Sequence, residues 1–142
     1  MRIPVTHIFH LYSRTLSSLT FDDATMEWVF TFEDNVSLRA RAPWRVVADG
    51  VVIVGSDDDG HEFGVNGPFD ARQRVVATIG DAAVSSASTN GPGDLQVQFG
   101  PTVRLDVFNH SVGYEGWHLW GPGERHVIGL GGGRVHDAES ID

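Results

Sequence analysis

Seven histidines and 19 acidic side chains carry the acid–base and metal-binding potential of this 142-residue sequence. Glu115 and His118 stand three apart within Tyr114-Glu115-Gly116-Trp117-His118-Leu119-Trp120, the least generic stretch of the chain. On an extended strand Glu115, Trp117 and Leu119 share one side, and Tyr114, His118 and Trp120 share the other. A carboxylate on an apolar face is costly unless a cation pairs with it, and Arg39 and Arg104 are the candidate partners. Glu115 then has two possible roles. One is acid–base work beside His118 or His110; the other, which this reading favours, is a buried anchor that fixes the register of its strand.

The remaining histidines, His7, His10, His61, His126 and His136, show no His-Glu-x-x-His spacing, so no metal site is expected. Protonating all seven would move the formal charge from −9 to −2. The acidic run Ser56-Asp57-Asp58-Asp59-Gly60-His61-Glu62 invites comparison with a calcium loop. With Gly60 at the sixth position, Asp57 and Asp59 fall on ligand positions, but Gly55 and Asn66 occupy the entry position and the final glutamate position. The run therefore reads as a solvated loop or as an electronegative patch for a basic partner. Its candidate contacts are Asp57, Asp58, Asp59 and Glu62, with Trp44 and Trp120 as aromatic anchors.

Other chemistry is poorly represented. Gly-x-Ser-x-Gly and Gly-x-Gly-x-x-Gly are missing, and a chain without lysine has no P-loop lysine. No cofactor is expected. Zero cysteines exclude disulfides, thiolate nucleophiles and cysteine-ligated metals, and fit a reducing cytoplasm. The charge of −9 argues against nucleic acid as a partner, because phosphate neutralisation needs clustered cations. The longest apolar stretch, Val46 to Val54, is interrupted by Asp49-Gly50 and falls far short of the ~20 residues of a spanning helix, so no membrane is expected. The N-terminal residues read as mature cytoplasmic sequence.

Hydrophobic residues at 41% and aromatics at 10% are enough for a globular core. Its elements show as alternation. Trp28, Phe30 and Phe32 lead through Glu33-Asp34-Asn35 to Val36, Leu38 and Ala40. Leu95, Val97 and Phe99 lead through Gly100-Pro101-Thr102 to Val103, Leu105 and Val107. Period-two runs joined by turn residues are hairpins. These two superimpose at a constant offset of 67, and Leu16-Ser17-Ser18 upstream matches Val84-Ser85-Ser86 at 68. The reading is α+β and mainly antiparallel β: two related meanders with one short helix between them, over about residues 68–79. Pro68, Asp70 and Gly80 punctuate that helix, and Phe69, Val75, Val76 and Ile79 form its stripe. One β-rich domain is expected over 1–133, with pseudo-repeat halves at about 14–55 and 82–128, followed by a flexible tail over 134–142 behind the triple glycine.

A likeness to other proteins rests on Leu95, Val97, Phe99, Val103, Leu105 and Val107, then Tyr114, Glu115, Trp117 and Leu119, then Val127-Ile128 and Gly131-Gly132. Through these residues the second half of the chain resembles an uncharacterised family of small bacterial proteins. In that family two strands lead into a Tyr-Glu-x-Trp-x-Leu segment, which is read here as structural. Some members look like immunity proteins. The resemblance thus implies a protein that binds and neutralises a cognate toxin and that needs no catalytic motif; the charge of −9 would suit a basic one. The alternatives are a small-molecule-binding module or a small hydrolase using Glu115 and a histidine.

Overall fold

Burial follows the alternation residue by residue. The structure, a computed structural model, describes residues 6–8, 10–63, 67–123 and 125–137. Within them the chain runs through β1 (Thr6–His7), β2 (Leu16–Asp22), β3 (Glu27–Phe32), β4 (Ser37–Ala40), β5 (Trp44–Ala48) and β6 (Val51–Gly55) to helix α1 (Ala71–Ile79). It continues through β7 (Val84–Asn90), β8 (Asp94–Phe99), β9 (Val103–Val107), β10 (Trp117–Trp120), β11 (His126–Gly129) and β12 (Val135–Asp137). In β3 Trp28, Phe30 and Phe32 are buried and the residues between them half-buried; in β8 Leu95, Val97 and Phe99 do the same. The fold is α+β with antiparallel strands, as the alternation requires.

Two six-stranded sheets result, in the orders β1-β7-β8-β9-β5-β6 and β12-β11-β10-β4-β3-β2. These orders reveal an exchange. Each meander stays in one sheet, β2-β3-β4 or β7-β8-β9, but the hairpin after it joins the other sheet. Hairpin β5-β6 lies against β9, and hairpin β10-β11 lies against β4. The repeat extends to the registers. Trp44, which opens β5, pairs with Val107, and Trp117, which opens β10, pairs with Ala40; Ala40 and Val107 are themselves 67 apart. Strand β2 has a bulge between Leu16 and Ser18, and β7 has one between Val84 and Ser86.

The inner faces share one core. Phe32 of β3 stacks on Phe99 of β8, its counterpart at the same offset, with centroids 6.2 Å apart. Trp44 packs edge-on against Trp28 and Phe30. Helix α1 packs on β2 and β6, the free edges of the two sheets, and buries Ala71, Val75 and Ile79 at i, i+4 spacing. It starts at Ala71, not at 68, because the Asp70 side chain accepts the Gln73 N–H and caps it. Val76, expected in the stripe, is 45% exposed, and Ala71 takes its place. At the Asp49-Gly50 turn between β5 and β6 both residues have positive φ, 51° and 79°, as a two-residue type I′ hairpin needs.

The tail expected from residue 134 is corrected at its start. Val135–Asp137 pairs with β11, and Val135 packs on the core. Residues 138–142 lie outside the described residues.

One close approach gives a stability test. The Trp117 indole N–H donates to the Gly93 carbonyl at 2.9 Å, and the ring lies where a β-carbon on Gly129 would sit. Gly129→Ala is therefore expected to cost about 2 kcal/mol or more through overpacking. Gly113→Ala, which adds a methyl to open space, stays within about 0.5 kcal/mol of the parent. Urea unfolding followed by tryptophan fluorescence measures both.

Candidate functional site

The two crossovers that carry the chain between sheets differ in length. The first is residues 41–43 and the second is residues 108–116. They run side by side: Phe108 N–H donates to the Pro43 carbonyl, and the Arg41 and Ala42 N–H groups both donate to the Gly116 carbonyl at 2.9 Å. The extra residues of the second crossover enclose an open hollow of about 340 Å³, lined by Arg41, Ala42, His110, Ser111, Tyr114, Glu115 and Gly116.

Glu115 is not the buried anchor the alternation suggested. Strand β10 begins only at Trp117, and the Glu115 side chain is 47% exposed in the crossover. Its partner is neither Arg39 nor Arg104. Arg39 bonds Asp22 and Glu27 at 3.1 Å, and Arg104 binds Asp106. Instead Glu115 Oε1 lies 2.8 Å from His118 Nε2, and His118 Nδ1 lies 3.0 Å from His126 Nε2. With Glu115 ionised and both rings neutral, this order of contacts puts a proton on His118 Nε2. His118 Nδ1 then accepts the His126 Nε2–H, and His126 Nδ1 keeps its lone pair. His126 also lies flat on Trp120, ring centroids 3.5 Å apart. Trp117 and Leu119 are fully buried, whereas Tyr114 is exposed, with Arg41 5.6 Å above its ring.

The acidic run divides into two kinds of residue. Asp58 Oδ2 accepts the Gly55 N–H at 2.7 Å, and Asp59 Oδ1 accepts the Ala71 N–H at the start of α1. Those two carboxylates shape their own loop. Asp57 and Glu62 are exposed. Asp59 also lines a hollow of about 420 Å³ together with Phe21, Asp23, Trp28, Ser56 and Arg72. Acidic residues from two distant parts of the chain, the β2–β3 turn and the loop after β6, thus meet over an aromatic floor. Nearby, Arg39 holds the Asp22 carboxyl below the usual carboxylate range.

Trp44, expected as an exposed anchor, is a core residue with 2% exposure, because β5 turns it inward between Trp28 and Phe30. Trp120 is 41% exposed on the outer face of its sheet. It lies on β10, with β4 between it and the β2–β3 hairpin, so the acidic loop and Trp120 belong to different places on the surface. Among the described residues no group of three or more histidine, aspartate or glutamate side chains could hold a metal ion, and no helix is long and apolar enough to cross a membrane.

Asp23, Arg41, Ser111 and His126 are the site residues that sequence reasoning missed. The offset of 67 holds a usable signal for two of them. It aligns Ala40 with Val107 but places Trp44 and Trp117 73 apart, which marks 108–116 as an insertion beside Arg41.

Burial chiefly holds His126 below the ordinary histidine pKa, and His118 pushes in the same direction; Glu115 opposes this, and His136 adds a smaller push down. Because the folded pKa is lower than the unfolded value, this group contributes stability that is fully present above about pH 6.5 and is lost as the pH falls from there through the lower folded pKa. The melting temperature of the parent relative to His126→Asn should therefore decline from pH 8 to pH 5. A constant difference would mean that His126 keeps its ordinary pKa in the folded protein.

Residues 8–139 match the family described as "Family of unknown function (DUF6188)", and the chain belongs to that family. No curated protein and no solved structure matches it.

Proposed function

We propose that this member of the DUF6188 family is an immunity-type interaction protein, which binds a basic bacterial toxin and masks its working surface. The observation that carries the reading is the hollow between the β2–β3 turn and the loop after β6. Asp23 and Asp59 line it together with Phe21, Trp28, Ser56 and Arg72. Such a site suits a lysine or arginine side chain, whose stem packs on the rings while its charge meets the carboxylates. Exposed Asp57 and Glu62 extend the same negative field, and the net charge of −9 steers a basic partner toward it. The resemblance of the Tyr114–Leu119 segment to a family in which some members look like immunity proteins points the same way. Work of this kind is binding, done in the cytoplasm of the producing cell.

Co-expression with the products of neighbouring genes tests the reading. The expected result is rescue from a toxic neighbour together with a stable complex. No rescue and no complex would overturn it. Within such a complex, Asp23→Lys and Asp57→Lys should slow association about tenfold or more at low salt, with less effect at high salt. Both positions are exposed, and neither side chain caps backbone as those of Asp58 and Asp59 do. Salt-insensitive, unchanged on-rates would remove this hollow from the interface.

A further inference from the structure

We propose that the hollow at the long crossover binds an oxyanion, the carboxylate or phosphoryl group of a small molecule, with Arg41 as its principal donor. The starting point is a charge left without a counterpart. Among the described residues no carboxylate lies within ion-pair distance of Arg41, although the chain has nearly twice as many acids as arginines. Arg14, Arg39, Arg45 and Arg104 are each tied to a carboxylate. Arg72, Arg74 and Arg134 share Arg41's lack of one, and Arg41 is set apart from them by standing over the Tyr114 ring in a hollow that Ser111 also lines.

The reason Arg41 is free lies next to it. Glu115 is the acid that lines the same hollow, and it is bonded to His118, which is bonded in turn to His126. The Glu115 carboxylate is thus directed to the imidazole pair, and it forms no ion pair with Arg41. Other donors converge there. Ser111 Oγ accepts the N–H groups of Gly113 and Tyr114, so its own O–H is left to donate. Tyr114 and His110 line the hollow as well.

The site is also held in shape. Both N–H groups of Arg41 and Ala42 converge on the Gly116 carbonyl. A β-carbon on Gly116 would sit 2.6 Å from Asn109 Oδ1 and 3.2 Å from the Ala42 β-carbon, so the floor admits glycine alone. Asn109 is fixed through donations to the Pro92 and Leu130 carbonyls. A guanidinium held over an aromatic ring, with hydroxyl donors beside it on a fixed floor, is preorganised for a charged oxygen group. This function is separate from the binding of a basic partner, which uses another hollow of opposite charge.

Titration with inorganic phosphate and, separately, with acetate tests the site, read from the Gly113 and Tyr114 amides and the Arg41 Nε–H by NMR. Saturable shifts at low-millimolar concentration are expected with one probe or both. The tighter probe identifies the group that the natural ligand carries. Arg41→Gln should weaken binding about tenfold, while Asp23→Lys in the other hollow leaves it unchanged. His118→Val supplies a sharper test: it releases Glu115 toward Arg41 and should weaken binding several-fold, and adding Glu115→Gln should restore it. The proposal is overturned if neither probe gives saturable shifts, if sodium chloride gives the same shifts, or if Arg41→Gln binds as the parent does.

Discussion

Everything in this molecule depends on the crossing of two hairpins between two sheets. At each crossing an indole passes into the core: Trp44 leads β5 to its place beside β9, and Trp117 leads β10 to its place beside β4. Both rings are buried, but they are held differently. Trp117 donates its N–H to Gly93, whereas the Trp44 N–H is buried without a hydrogen-bond partner among the described residues and keeps its place by packing against Trp28 and Phe30. Leaving such a donor unpaired costs about 1–3 kcal/mol, which the burial of the large ring offsets. Because each sheet is completed by strands of the other half, neither meander can bury its apolar face alone.

Against this symmetric frame, the chemically distinctive features are departures from symmetry. The short crossover supplies Arg41 and Ala42, and the extra residues of the long one enclose them in a hollow with Ser111 and Tyr114. The outer faces diverge as well. Residues 39 and 106 correspond at the same offset, yet one is an arginine between Asp22 and Glu27 and the other an aspartate between Arg45 and Arg104. The two sheets thus carry similar networks of opposite central charge. The helix, which belongs to the first half, closes the side where β2 and β6 would otherwise be free, and its N-terminus is tied to the acidic loop through Asp59.

The fold was legible because each strand is amphipathic at period two and each tight turn has residues suited to it. The offset of 67 survives in registers as well as in residue types, and the bulges keep the offset of 68 that marks the strand upstream. The exchange was not legible. Alternation says which face of a strand is buried, and it is silent on which sheet the strand joins. That gap accounts for the misplaced site residues. Trp44 looked like a surface anchor because its sheet was unknown, and Glu115 looked buried because β10 was extended three residues too far toward the N-terminus. The acidic run was correctly placed in a loop. Local hydrogen bonds that occupy Asp58 and Asp59, and the meeting of Asp23 with Asp59, required tertiary structure.

The exchange is tested most directly by cutting the chain between Asp81 and Ala82, two exposed or half-exposed residues after the helix. The fragments 1–81 and 82–142 each hold one meander and one hairpin, so each lacks the strands that complete its sheet. Thermal unfolding of each fragment alone and of the equimolar mixture, followed by near-ultraviolet circular dichroism, reports the aromatic core. The expected result is no cooperative transition from either fragment as a monomer, and a single transition with the native signal from the 1:1 complex. A monomeric fragment that melts cooperatively with native-like aromatic signal would show that each half completes its own core, and would contradict the exchange.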